Sequence, residues 1–178
     1  MSSVCVFCGS RKGMRPAYER DAAELGRLLV ERGHGLVYGG GAIGLMGVCA
    51  DAVLDHGGHV SGIIPTFLNR VEVAHTGIQQ MEVTSGMMPR KERMIESSDG
   101  FIALPGGLGT FDELFEVLTW KQLGQLDAPI GLLDVEGFFQ PWLSLVDNLV
   151  NEKFLDPEAR GLLVVDERPA ELLDAMAL

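Results

Sequence analysis

A chain of 178 residues, 47% apolar and 22% charged, has enough apolar surface for one self-sufficient core and reads as folded, not disordered. Its formal net charge of −11 argues against a nucleic-acid polymer as ligand, because phosphate backbones are gripped by clustered Lys and Arg; one nucleotide, held by a few backbone N–H groups and a single Arg, is compatible with it. No run approaches the roughly 20 apolar residues that span a bilayer, no signal-like segment precedes Val4–Phe7, and three cysteines suit a reducing compartment, so the expectation is a cytoplasmic protein without membrane contact.

In chain order, Val4–Cys8 predicts a strand, Pro16–Arg32 a helix with Pro16 in its first turn and Gly33 past its end, and Gly35–Tyr38 a second strand. Gly44–His56 reads as helix, His59–Ile64 as strand, Pro65–Thr76 as a loop or short helix beside the site, and Gly77–Val83 as strand. Met87–Ser97, Gly109–Gly124 and Phe138–Glu152 carry helical spacing around the strands Gly100–Leu104 and Ile130–Leu133; the apolar pair Val164–Val165 and a helix from Pro169 close the pattern. Several strands are nearly continuous in apolar residues, as parallel strands covered on both faces are. The expected fold is therefore α/β: a single Rossmann-like domain over residues 1–178, with an open, mostly parallel sheet and helices on both faces.

Such sheets bind ligands beyond the carboxyl ends of their strands. Three of those ends bear glycine: Cys8-Gly9-Ser10, Gly39-Gly40-Gly41 and Pro105-Gly106-Gly107. Gly39-Gly40-Gly41-Ala42-Ile43-Gly44 matches G-x-G-x-x-G, but it follows the second strand, and the next strand ends Gly62-Ile63-Ile64-Pro65 without the carboxylate that a dinucleotide's ribose requires. A close-approach glycine turn fits better than NAD binding. Cys5 and Cys8 have C-x-x-C spacing, yet lie in an apolar strand where positions three apart face opposite ways, so they read as small core residues. His56 and His59 lack further metal ligands nearby and mark a helix exit; His34 reads as a solvated helix-end histidine.

The segment from Leu104 to Glu113 is more informative. An apolar strand runs into Gly106, Gly107 and Gly109, then into a helix whose first N–H groups and dipole suit an anion. Thr110 caps that helix or donates its hydroxyl to phosphate; Glu113, three residues on, would complete a capping box in the structural alternative. Arg90 follows Pro89 near a helix N-terminus, an odd place for a cation without an anion close by.

The strings Met87-x-x-Arg90-Lys91 and Pro105-Gly106-Gly107-x-Gly109-Thr110-x-x-Glu113 resemble the paired signatures of the LOG family, whose members are cytokinin riboside 5′-monophosphate phosphoribohydrolases. The likeness runs from Cys8-Gly9-Ser10 through Gly44-Leu45-Met46 to Leu118-Thr119-Trp120; Asp112 stands where the family pattern often has Glu.

The resemblance implies hydrolysis of the N-glycosidic bond of a small-molecule nucleotide, AMP or N6-substituted AMP, to free base and ribose 5-phosphate. Glu113 would stabilise the oxocarbenium-like ribose and orient or deprotonate water. Arg90 would act electrostatically, its pKa being too high for a general acid. Gly106, Gly107, Gly109 and Thr110 would hold the 5′-phosphate, and Ser10, Gly40, Gly41, Met87 and Lys91 complete the expected substrate contacts, with Glu116 as a secondary candidate. Neither a metal nor an organic cofactor is required. A homodimer is also implied, with Leu114–Leu126 as one candidate surface. The alternatives are an AMP nucleosidase, which differs only in its base pocket, a non-catalytic binding protein like the molybdenum-cofactor carriers, and a pyridoxal-dependent lysine decarboxylase, for which Lys12, Lys91, Lys121 and Lys153 offer no recognisable cofactor pocket.

Overall fold

The computed structural model describes residues 2–70 and 74–178. Seven strands, β1 (Ser3–Phe7), β2 (Gly35–Tyr38), β3 (Val60–Pro65), β4 (Gln80–Thr84), β5 (Gly100–Ala103), β6 (Ile130–Leu133) and β7 (Leu163–Asp166), form one sheet in the order β4-β3-β2-β1-β5-β6-β7. Every neighbouring pair is parallel. The helices are α1 (Pro16–Glu31), α2 (Gly44–Asp55), α3 (Met87–Glu96), α4 (Leu108–Gln122), α5 (Gln140–Asn151), α6 (Pro157–Arg160) and α7 (Pro169–Ala175).

Side-chain alternation along the strands builds two cores. Val4 and Val6 of β1 point with Leu36 and Tyr38 of β2 toward α1, α2 and α7, where Leu25, Leu29, Cys49 and Leu172 meet them. Cys5 and Phe7 point the other way, with Phe101, Ile130 and Leu132, toward Met94 of α3, Leu114 of α4 and Trp142 of α5. Burying an aliphatic or aromatic side chain stabilises by about 1.5–3 kcal/mol, and both layers draw on the central strands, so neither face of the sheet is dispensable. Cys5 and Cys8 do fall on opposite faces; all three cysteines are buried and unpaired. Burial pushes the Cys5 and Cys8 thiols up, the reverse of what redox chemistry needs.

Several boundaries differ from the sequence expectation for identifiable reasons. β4 starts at Gln80, not Gly77, because the Gln79 side chain takes over the bridging: its Oε1 accepts from Val60 N at 2.9 Å and its Nε2 donates to Gly58 O at 3.1 Å. Gly77 N instead donates to His75 Nδ1 at 3.2 Å. The four-residue α6 is too short to show a periodic pattern. Pro65 closes β3, and Leu68–Arg70 forms a short 3-10 turn; residues 71–73 of that expected loop lie outside the described residues. The histidines behave as helix ends: His56 Nδ1 contacts Ala52 O at 2.8 Å, and His34, which is half-buried, pairs with Ser2 Oγ.

Strand order reverses between β1 and β5. The chain winds outward from β1 to β4, then returns to place β5 on the other side of β1. The loops leaving these two strands diverge and open a crevice, spanned at its base by Gly9 N donating to Pro105 O at 3.1 Å.

Candidate active site

Two helix N-termini flank this crevice, and only one is open to a ligand. At α2, Gly9 O accepts from Leu45 N at 3.0 Å and from Met46 N at 3.3 Å, so the donors that a pyrophosphate would need are already used. Gly44 sits at φ +66, and a Cβ there would run into the Ser10–Arg11 backbone. G-x-G-x-x-G in this chain is thus a device for docking the β1 loop onto α2. Gly44→Ala is expected to destabilise the fold by about 2 kcal/mol or more, through both the left-handed backbone and the collision. Chemical denaturation checks this; an unchanged midpoint contradicts the assignment.

At α4 the situation is the opposite. Gly107 is the N-cap residue, its carbonyl accepts from Phe111 N at 3.2 Å, and the N–H groups of Leu108, Gly109 and Thr110 have no backbone acceptor among the described residues. Thr110 and Glu113 therefore stand inside the helix and form no capping box. Both are buried yet line the crevice.

Arg90 occupies the fourth position of α3, whose N-cap is Gly86, and is 7% exposed. Its Nε donates to Ile63 O at the end of β3 at 2.9 Å, and its Nη1 donates to Glu113 Oε1 at 2.8 Å. The anion that its position called for is Glu113. Gly39 has no side chain because a Cβ there would collide with Arg90 Nη2. Three strand ends thus build the floor: β2 gives way, β3 holds the guanidinium, and β5 leads into the helix that carries the carboxylate.

Burial pushes the Glu113 carboxyl above its ordinary value; the charge and hydrogen bond of Arg90 oppose this, Asp112 adds to it, and Lys91 counters it. Glu113 Oε2 has no hydrogen-bond partner among the described residues, which leaves one carboxylate oxygen for chemistry. A carboxylate held partly desolvated, with one oxygen tied to a fixed cation, can stabilise a developing cation and accept a proton from water.

Of the residues expected to contact a substrate, Ser10, Met87, Arg90, Gly107, Gly109, Thr110 and Glu113 converge on one cleft of about 220 Å³. It shares Gly9, Ser10, Gly107 and Leu108 with an adjoining chamber of about 610 Å³, which Gly106 lines. Small-molecule sites usually measure about 300–1,000 Å³, so the cleft and the space beside it together suit a ligand of nucleotide size. Gly40 lies behind the turn against Ile64 and Met81, and Gly41 bridges to Ala74; neither lines the cleft. Lys91 and Glu116 also sit outside it, on the far side of Glu113.

Gly39, Cys8, Met46 and Leu68 also line the cleft; none is among the expected substrate contacts, although the first three stand in the quoted strings and Leu68 in the stretch expected beside the site. Gly39 was legible as the first glycine of its run, the one nearest the strand end. Leu68 and Met46 carry no chemical signal and are identified only by their placement. Among the described residues no three His, Cys, Asp or Glu side chains gather as metal ligands, and no helix is long and apolar enough to cross a membrane.

The family model described as "possible lysine decarboxylase" matches residues 46–176. The chain is 49% identical over 170 residues to the cytokinin riboside 5′-monophosphate phosphoribohydrolase LOG of Oryza sativa subsp. japonica, covering 96% of this chain and 70% of that protein. It is 47% identical over 170 residues to LOG1 of Arabidopsis thaliana, which bears the same enzyme name, covering 96% and 80%. Among solved structures, the molybdenum cofactor binding protein of Rippkaea orientalis matches with a TM-score of 0.74 at 23% identity, over 99% of this chain and 98% of that one. The Moco carrier protein of Chlamydomonas reinhardtii matches with a TM-score of 0.74 at 20% identity, over 99% and 95%. At that identity these structures share the fold alone. The sequence relatives and the family model together place this chain in the LOG family, the group that the lysine decarboxylase model covers.

Proposed function

We propose that the protein is a phosphoribohydrolase that releases free base and ribose 5-phosphate from adenosine-type 5′-monophosphates, with N6-substituted nucleotides as the main class. The observation that carries this reading is the pairing of Arg90 with Glu113 on the cleft floor beside the open N-terminus of α4. In this reading the free N–H groups of Leu108, Gly109 and Thr110, with the Thr110 hydroxyl and Ser10, hold the 5′-phosphate. That anchoring places the anomeric carbon near Glu113.

As the C–N bond breaks, its electron pair leaves with the base and positive charge gathers on the ribose. Glu113 stabilises that charge and takes a proton from water, whose hydroxyl adds to the anomeric carbon while the proton passes on to the departing base. Arg90 fixes the carboxylate and offsets negative charge near the leaving group. Met46, Leu68 and Met87 give the cleft an apolar side, which supports an alkyl group on N6 over bare adenine. The names borne by the sequence relatives point the same way.

A lysine Schiff base has no support in the cleft. Lys91 is held by Glu116 and Asp112, Lys121 Nζ donates to Asp127 O and Ala128 O, Lys12 pairs with Glu19, and Lys153 is exposed and does not line the cleft. The homodimer implied by the family has as its supporting observation a groove between α4, α5 and β7, lined by Phe115, Leu118 and Trp142. Leu114, by contrast, is fully buried and belongs to the core, not to that surface. Unpaired, buried thiols support a reducing, cytoplasmic setting.

Chromatography of the free base, with each monophosphate run beside its dephosphorylated nucleoside, tests the reading. Release from the monophosphate alone is expected; equal rates from both would mean that the α4 N-terminus does not bind phosphate.

A further inference from the structure

Behind Glu113, on the side away from the cleft, lies a second ionic cluster that the chemistry above does not use. Lys91 follows Arg90 on α3, and its Nζ lies 2.9 Å from Glu116 Oε2 and 3.1 Å from Asp112 Oδ2 on α4. The Lys91 side chain is 11% exposed and that of Glu116 16%. Glu116 Oε2 itself is fully buried and accepts no well-aligned hydrogen bond among the described residues, so Lys91, 2.9 Å away, compensates it as a charge. Lys91, Glu113 and Glu116 border the same narrow gap, closed by Phe7 and Met94.

Successive residues of α3 thus grip successive turns of α4: Arg90 holds Glu113, and Lys91 holds the residues one before and three after it. Resting on the hydrolase reading, we propose that Lys91 is a positioning residue, a cationic latch from α3 to α4 that sets the place and charge state of Glu113 without touching the nucleotide. The expectation that Lys91 and Glu116 contact substrate is replaced by this role, since neither lines the cleft.

The physical reason is charge balance in a poorly solvated space. The groups around Glu113 are Arg90 and Lys91 from α3, Asp112 and Glu116 from α4, the buried Cys5 thiol of β1 and the buried Cys8 thiol just past its end. Without Lys91, one guanidinium would face three carboxylates. Glu116 would then be a buried, uncompensated anion one helical turn from the reacting one. Glu113 would hold its proton to higher pH, and α3 and α4 would be free to shift by the fraction of an ångström to which catalytic geometry is sensitive.

Lys91→Met is expected to lower kcat about tenfold or more, to leave KM for the monophosphate within about twofold, and to move the acid limb of the kcat profile to higher pH. Lys91→Arg keeps the charge and is expected to recover most of the rate. Lys91→Met combined with Glu116→Gln removes one charge of each sign and is expected to be faster than Lys91→Met alone. A rise in KM with kcat unchanged would make Lys91 a substrate contact and overturn the proposal, as would a double variant no faster than the single one.

A second readout is independent of turnover. The carboxyl carbon of isotopically labelled Glu113, followed by NMR across pH, should titrate higher in Lys91→Met than in the parent protein. An unmoved titration overturns the latch even if the parent releases no base, whereas an inactive parent with a shifted titration overturns only the hydrolase reading. Thermal melting of each variant confirms that folded protein is being compared.

Discussion

Glu113→Gln is expected to lower kcat by at least about 10³, or about 4 kcal/mol in the barrier, while nucleotide affinity stays within a few-fold. The amide keeps the volume of the side chain and an oxygen for Arg90 Nη1, which Glu113 Oε1 engages at 2.8 Å. It loses the negative charge beside the ribose and the ability to accept a proton from water. Binding is expected to survive because the proposed phosphate contacts are the N–H groups of the α4 N-terminus, not the carboxylate. The substitution leaves the Arg90 charge less well compensated, so the melting temperature is measured alongside to confirm a folded enzyme. Turnover within about tenfold of the parent would remove Glu113 from the mechanism.

Arg90→Ala is expected to damage both stability and catalysis. It removes the bond to Ile63 O and leaves Glu113 buried without its cation, a change that typically costs about 3–5 kcal/mol when a buried pair is broken on one side. Arg90 lowers the carboxyl's affinity for a proton, so its loss raises that affinity further above the ordinary range. A carboxyl with a raised value in the folded state binds its proton more readily there than in the unfolded chain. Its stabilising effect is therefore present in acid and lost as pH rises through the folded value. The variant should accordingly be most destabilised at neutral pH and less so in mild acid, as urea denaturation at two pH values will show. Its kcat should fall about 10²-fold or more, with an acid limb at higher pH than the parent's. A uniform stability loss at both pH values, with the activity profile unmoved, would mean that Arg90 only packs the floor.

The α/β class and the parallel sheet were legible because continuous apolar runs and helical spacing report burial directly; the strand order was not, since it depends on which strands the crossovers bring together. Motif spacing brought Arg90 and Glu113 forward, and the geometry explains both: each is the other's counter-charge. What spacing did not show is which glycines face a ligand. Gly39, Gly40 and Gly44 look alike in the sequence, yet Gly39 yields to a guanidinium, Gly40 packs against Met81, and Gly44 against the β1 loop. Lys91 stands in the family-like string and Glu116 one turn beyond Glu113, which is why sequence alone sets both beside the substrate. Lys91, next to Arg90, points to a different side of α3, whereas Glu116 shares a face of α4 with Glu113; only the packing of α3 on α4 shows that both lie behind the carboxylate and not in the cleft. The stretch holding Leu68 is expected beside the site and Met46 stands in a family-like string, but an apolar residue carries no chemical signature that singles it out as a cleft residue.

The most direct test of the central claim is base release by the purified protein, without added metal or cofactor, from isopentenyladenosine 5′-monophosphate, AMP and their nucleosides. The account predicts free base from the monophosphates only, faster from the N6-substituted one, and none from either nucleoside. Tight nucleotide binding with no base released from any of the four would contradict it and make the Arg90–Glu113 cleft a binding site without turnover.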